Sequence, residues 1–435
     1  MRIGKRRFVW PEGGTLIVAA TVTGTLAGLG TFFLRRGMEL IAGMSRFWLV
    51  PDRVNLIFLA LLAIAIFGAV FYQKVIGENL AGSTGQIRSR FASGNYDFKR
   101  NHIFSPLIGC LVTVGFGGSA GAEGPCAFSG AAIGSKIAKM FRMSPQSVRI
   151  LFGCGAAAGI SGIFKSPIGG LFFAVEVLKM EMTVVGIVAV TFACLAAFCA
   201  AYVLGGYVWN VQIMTDMIFI PEHFGWIALL GVACGIYSIY YCNTQDFASR
   251  FFKSIGNIWL RAAICAVGLG VMIMILPAMF GEGYNIVSDL VNGIDRTLLE
   301  FGPFYKDFDR MPLVLCIVGV MLLLKGAAVG AVNSGGGVAG EFVPTIFAGA
   351  LLGFMFATIA NMCGHALPVD NFVLIATAAV MAGTIKAPLM AIFIAAEVSD
   401  RYGFLLGFLL AAGISFAISK LWDISLKVSR TASRG

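Results

Sequence analysis

Long apolar runs separated by short polar segments dominate the chain, at 14–34, 55–72, 103–121, 182–206, 225–242, 260–280, 312–331, 345–363, 371–385 and 403–419. A helix that crosses a bilayer needs about 20 apolar residues. The runs near that length predict spanning helices. The shorter ones predict tilted, partial or re-entrant helices, whose broken backbone survives in lipid only against protein or a wet cavity. Glycine and proline mark the breaks. In "GSAGAEGP" (118–125) three glycines and a proline surround one carboxylate, Glu123, between apolar flanks. A soluble fold of 435 residues could not hide 58% hydrophobic residues with only 12% charged. The chain therefore reads as an all-α polytopic membrane protein.

The chain also repeats itself. "GSAGAEGPCAFSGAAIG" (118–134) aligns without gaps on "GVAGEFVPTIFAGALLG" (337–353), with Pro344 falling 219 positions after Pro125. "FKSPIGGLFFAVEV" (164–177) aligns on "IKAPLMAIFIAAEV" (385–398), with Pro388 falling 221 positions after Pro167. Two matches in the same order at nearly one offset indicate duplication rather than shared composition. The reading is an N-terminal transmembrane repeat (1–210), a more polar linker (211–222) and a C-terminal transmembrane repeat (223–435). Inverted halves are the commoner transporter design and place the site between them.

The broken helices have a chemistry of their own. Pro125 and Pro344 each suit the first turn of a helix, where a missing N–H costs nothing. The glycines before them, Gly121 and Gly340, let the backbone approach a ligand closely. Two inward helix N-termini would present free amides and the positive end of the dipole to an anion. Each such end favours an anion by about 0.3–1 kcal/mol when exposed and about 2 kcal/mol when partly buried. Gly124 and Val343 belong to the same two helix starts. Glu123 is costly at membrane depth, by about 2.5–3.5 kcal/mol on insertion scales, and so reads as functional. Its carboxylate would compete with a permeating anion for the amides, and protonation would end the competition. The bland alternative, close packing of glycine-rich helices, suits one copy of the motif better than two matched copies. Glu176 and Glu397 hold one place in the two repeats and are expected to cap or tether helix ends.

Charge and cysteine usage narrow the class. The formal net charge of +10 comes from basic clusters at the N-terminus, at 88–100, at 136–149 and at the C-terminus. These read as topology and not as nucleic-acid binding, with both termini cytoplasmic. Arg2, Lys5, Arg6 and Arg7 precede a long apolar run without a persuasive cleavage site, which predicts a retained first span. The ten cysteines form no CxxC pair, and His102, His223 and His365 are scattered, so neither a disulfide framework nor a metal centre is expected. "GGSAG" (117–121) matches the GxSxG of serine hydrolases, including intramembrane proteases. That reading makes Ser119 a nucleophile, needs His365 within reach, finds Val338 at the serine position of the second copy, and leaves Glu123 unexplained.

Taken together, these residues resemble the CLC chloride channel and transporter family. "GSAGAEGP" is similar to its GxEGP signature and "GEFVP" (340–344) to its GxFxP motif. "KSPIGGLFFAVE" and "KAPLMAIFIAAE" resemble the helices that follow each. The resemblance spans about residues 80–425. It implies a CLC-type fold of two inverted-topology repeats with broken, re-entrant helices, and a homodimer with one pore per subunit. It further implies Glu123 as the gating glutamate, Phe342 beside the anion, no resident cofactor or metal, and a prokaryotic inner-membrane protein without C-terminal regulatory domains. Members are passive chloride channels or antiporters exchanging anions for protons.

Three departures bear on mechanism. The family's first motif should fall near "LAGSTGQI" (80–87), which puts Gly82, or Ser83 with a shift of one, at the anion-coordinating serine. The pore tyrosine is replaced by Ile424 in "KLWDISLK" (420–427). The antiporters' inner proton acceptor would fall at Val177, which favours a channel, although fluoride exporters in the family also lack that glutamate. Glu341, inside the GxFxP-like motif, is either a replacement proton acceptor or a residue of a cytoplasmic vestibule. The expected function is transport of a small monovalent anion through the lipid bilayer, chloride by default and fluoride as competitor, by proton-coupled antiport or passive conduction.

Overall fold

Each apolar run of the sequence folds into helix, because in lipid only an internally bonded backbone leaves no N–H or C=O unpaired. The structure, a computed structural model, describes residues 12–432 except 51–52, 78–79, 81–83, 182, 207–210, 212, 215–216 and 308. In chain order the helices of the first half are α1 (Glu12–Arg46), α2 (Ile57–Ile76), α3 (Thr84–Ser93), α4 (Ser105–Gly115), α5 (Glu123–Met140), α6 (Pro145–Phe164), α7 (Pro167–Phe172) and α8 (Val184–Gly205). Those of the second half are α9 (Phe224–Ser254), α10 (Ile258–Ile275), α11 (Tyr284–Val291), α12 (Met311–Gly335), α13 (Val343–Met362), α14 (Val369–Ile385), α15 (Pro388–Ser399) and α16 (Leu405–Ala432). Nine of them among the described residues are long and apolar enough to cross a membrane: α1, α2, α6, α8, α9, α10, α12, α13 and α16. The apolar α4, α7, α14 and α15 are shorter, as partial and re-entrant helices must be.

The centre of the molecule is built from small residues. α5 packs on α6 with backbone against backbone: a Cβ at Gly130 would stand 2.0 Å from the Gly155 carbonyl oxygen, and one at Gly155 would stand 2.0 Å from that of Gly130. α13 packs on α14 in the same way, through Gly349 against Ala376 and Gly353 against Phe372. Such close approach is how membrane helices gain dispersion contact without a hydrophobic driving force. α6 belongs to no apolar run of the sequence pattern, because its glycines and alanines dilute its hydropathy, yet most of it is buried.

Two contacts join a residue to its own repeat partner. Gly121 and Gly340 form an antiparallel bridge, with N···O distances of 3.1 and 2.6 Å. The rings of Phe172 and Phe393 stack with centroids 5.0 Å apart and planes 9° from parallel. Self-partners that meet must lie on the axis relating the halves, and an antiparallel meeting reverses chain direction across that axis. The repeats are inverted. Lys165 and Lys386, matched in sequence, close α6 and α14 in the same left-handed conformation, with φ of 53° and 63°.

The halves also exchange caps. Glu397, on α15, accepts hydrogen bonds from the N–H of Ile168 (3.1 Å) and Gly169 (2.9 Å) and from the Ser166 hydroxyl, at the start of α7. Glu176, just past α7, accepts from the N–H of Leu389 (3.2 Å) and Met390 (2.8 Å), at the start of α15. Both helices open with proline, so the free amides sit one and two positions later. The two acids thus satisfy helix ends that would otherwise be orphaned at membrane depth.

Candidate functional site

The two motif copies fold alike. After α4, Gly117 turns the chain at φ 105° while the Phe280 ring packs within 2.1 Å of where its Cβ would stand. The N–H of Gly118 then bonds back to Thr113 (2.8 Å). In the second copy Gly336 turns at φ 120°, and the N–H of Gly337 bonds back to Val332 (2.9 Å). The first copy bends through Ser119 and Ala120, whose N–H bonds back to Gly118 (2.8 Å), and each copy then reaches the Gly121–Gly340 bridge and enters a helix. α5 opens on Glu123 with Pro125 in its first turn; α13 opens on Val343 with Phe342 as N-cap and Pro344 in its first turn. The prolines cost neither helix a hydrogen bond.

Glu123 is fully buried. Its Oε1 accepts a hydrogen bond from the N–H of Phe342, so the acid that opens α5 caps α13 across the bridge. Its Oε2 has no hydrogen-bond partner. A cradle of two glycines holds the carboxylate: a Cβ at Gly121 would stand 2.1 Å from Oε2, and one at Gly340 would stand 2.3 Å from Oε1. A carboxyl group is therefore already seated where the α13 dipole and its orphan amides favour an anion. The buried Phe342 ring lies 6.2 Å from Phe173.

Of the residues singled out from sequence, Glu123, Gly121, Gly124, Pro125, Gly340, Phe342 and Val343 are buried together around the bridge. Glu341 lines a cavity of about 850 Å³ and accepts a 3.5 Å hydrogen bond from the Asn333 side-chain amide. Ile424 lies near the end of α16 and is 49% exposed. Gly82 and Ser83 lie outside the described residues. Val177 is buried at the end of a π-helical turn, Phe173–Val177.

Two cavities approach the bridge from opposite sides. The smaller, about 230 Å³, is lined by the last turns of α1, by Phe58 at the start of α2, by the end of α4 and by the 277–286 segment. The larger is lined by Val70, Lys74 and Gly77 at the other end of α2, by the end of α12 and by Glu341. Along α2 the nearest lining residues of the two cavities, Phe58 and Val70, are about 18 Å of helix apart. The smaller cavity gathers Glu39, Glu282, Asp289 and Glu300 around one Arg35, whereas the larger gathers Lys74, Lys253 and Arg261 around one Glu341. The fields of Glu282 from one side and Glu341 from the other both reach Glu123.

Sequence reasoning missed two features. Arg35 pairs with Glu282 at 3.3 Å across 247 positions of chain, a separation no local pattern encodes. Lys325 is fully buried, donates to the Ser119 hydroxyl at 2.8 Å and lies 4.4 Å over the Phe347 ring. It did carry a signal, as the sole charge in α12. This contact disposes of Ser119 as a hydrolytic nucleophile paired with His365: Ser119 is fully buried on a lysine, and His365 packs 4.6 Å from Trp226. All ten cysteines are free thiols, and among the described residues no His, Cys, Asp or Glu cluster could hold a metal.

Comparison with known proteins gives one consistent neighbourhood. The family described as "Voltage gated chloride channel" matches residues 70–420. The H(+)/Cl(-) exchange transporter ClcA of Vibrio campbellii is 24% identical over 417 residues, covering 90% of this chain and 83% of that protein. The ClcA of Salmonella typhi is 26% identical over 313 residues, covering 69% and 62%. In fold, the chain is similar to a CLC-type fluoride/proton antiporter (TM-score 0.76, 22% identity, 94% of this chain and 95% of the other). It is equally similar to a slow cyanobacterial Cl-/H+ antiporter (TM-score 0.78, 18% identity, 98% and 99%).

Proposed function

The chain belongs to the voltage-gated chloride channel (CLC) family of anion transporters, and on that premise we propose that it exchanges a small monovalent anion, chloride first, for protons, with Glu123 as the gate. One observation carries the reading: the Glu123 carboxylate rests on the N–H of Phe342, in a two-glycine cradle at the start of α13. A charged carboxylate there excludes other anions from the same amides. A proton on Glu123 weakens its hold, the side chain leaves, and a permeating anion takes the helix end. Among the described residues no Arg or Lys bonds to Glu123 or the bridge, so an anion is held by dipoles and neutral amides and released again, as transport requires.

Coupling to protons is supported by the names of the curated relatives, which are exchange transporters. Val177 removes the family's usual inner acid, and Glu341 supplies a carboxylate on the larger cavity in its stead. The fold's similarity to a CLC-type fluoride/proton antiporter favours fluoride as the second reading. The basic N- and C-terminal residues support cytoplasmic termini. α1 then carries its far end outward, so the smaller cavity is the outer mouth and the larger the inner one. The assembly is a homodimer in a prokaryotic inner membrane, each subunit with its own pore.

The test is purified protein in liposomes, with anion efflux and internal pH followed together. An outward anion gradient is expected to drive protons uphill into the vesicle. Anion flux without proton movement would reject antiport, and fluoride flux far above chloride flux would reject the chloride assignment. Glu123→Gln is expected to abolish proton movement while anion flux persists; intact coupled exchange would remove Glu123 as the gate.

A further inference from the structure

The smaller cavity holds a buried acid that the gate alone does not explain. Glu282 sits at its floor, with a side chain 12% exposed. The N–H of Ala122, the residue immediately before Glu123, lies close enough to its carboxyl to favour the charged form. The segment that carries Glu282 is pinned to the motif: the N–H of Gly281 donates to the Gly117 carbonyl at 3.2 Å, and Phe280 packs on Gly117. Glu282 is therefore held beside the gate rather than near it by chance. From this placement we infer that Glu282 loads protons onto Glu123 from the smaller cavity.

The surrounding charges suit that task. Arg35 pairs with Glu282 (3.3 Å) and Glu39 (3.5 Å), and its guanidinium lies 4.9 Å over the Tyr284 ring. Asp289 and Glu300 complete the charged lining. Four carboxylates around one guanidinium collect protons from solution more readily than anions. Burial lifts the Glu282 carboxyl above its ordinary range, against the opposing pull of Arg35 and the Ala122 N–H. A carboxyl so lifted keeps its proton to higher pH than one in water. The step balances simply. Hydronium protonates the Glu282 carboxylate; the acid passes that proton on to the Glu123 carboxylate; Glu282 returns to its charged form against Arg35. Glu123, now neutral, releases the Phe342 N–H.

This inference rests on the exchange proposed above, and its test separates the two. Full-length protein in liposomes is assayed for chloride efflux and proton uptake over a range of outer pH, as wild type, Glu282→Gln, Glu282→Asp and Glu39→Gln. Glu282→Gln is expected to slow proton uptake at least about tenfold and to flatten its dependence on outer pH. Chloride binding and the thermal midpoint should stay as in the wild type. Glu282→Asp should restore most of the proton rate, and Glu39→Gln, which removes another carboxylate of the same lining, should slow uptake far less than Glu282→Gln does. Wild-type proton uptake and pH profile in Glu282→Gln would overturn the inference alone. So would parallel loss of chloride flux, proton flux and melting temperature in both Glu282 variants, which would make Glu282 a strut for Arg35. A wild-type protein that moves chloride without protons would overturn both this and the exchange reading.

Discussion

Gly340 has an ordinary backbone conformation, and its need for glycine comes from what stands in front of it. The three atoms nearest to a Cβ at that position all belong to the Glu123 carboxylate, the nearest at 2.3 Å. Alanine there would collide with the gate and with little else. Gly340→Ala is therefore expected to displace Glu123 from the Phe342 N–H while the bridge to Gly121 persists. Liposome efflux should show faster anion movement with fewer protons per anion, and a protein that melts like the wild type. Unchanged flux and coupling would mean that the cradle yields and that the seat of the carboxylate is not selected by these glycines. Gly121→Ala approaches the other oxygen and should act in the same direction.

At the scale of elements, α7 and α15 depend on acids borrowed from each other's half. Removing Glu397 leaves the part-buried N–H of Ile168 and the buried N–H of Gly169 without a protein partner, and a buried orphaned donor costs about 1–3 kcal/mol. Glu176 is partly exposed, so water can take over part of its work. Glu397→Ala should therefore lower the thermal midpoint in detergent more than Glu176→Ala does. Equal shifts would argue against burial as the deciding difference. Much at this scale was legible beforehand. The apolar runs found the helices, and the repeated prolines with their downstream acids found the caps. α6 was not legible, because a helix that packs through glycine and alanine buries itself by what its side chains lack. At the site, duplication exposed Glu123, Gly121, Gly340 and Phe342. Arg35 and Glu282 stayed hidden because their partnership exists only once distant segments have folded together. Ile424, read as an anion neighbour from a motif alignment, stands half exposed near the end of α16.

For the whole molecule, the charge contrast between the two mouths is the informative feature. The larger cavity presents Lys74, Lys253 and Arg261, and a low-dielectric wall focuses such a field and raises the local anion concentration. Neutralising Lys253 and Arg261 together is expected to slow anion movement from that side several-fold at low salt. The deficit should shrink as ionic strength rises and the Debye length falls below about 10 Å. Stopped-flow efflux from oriented vesicles measures this; a deficit independent of salt would point to lost folding or lost contact rather than lost steering.

The exchanged caps have a consequence for what can move. Four N–H···O bonds, from Ile168, Gly169, Leu389 and Met390, tie each half to an acid of the other at the axis between them. A carrier that rocked its halves past each other would have to break these bonds in lipid on every turnover. Under the proposed exchange, the working stroke falls to the reach of the Glu123 side chain, inside a frame locked to itself. Such a machine should be nearly indifferent to the thickness of the bilayer that surrounds it.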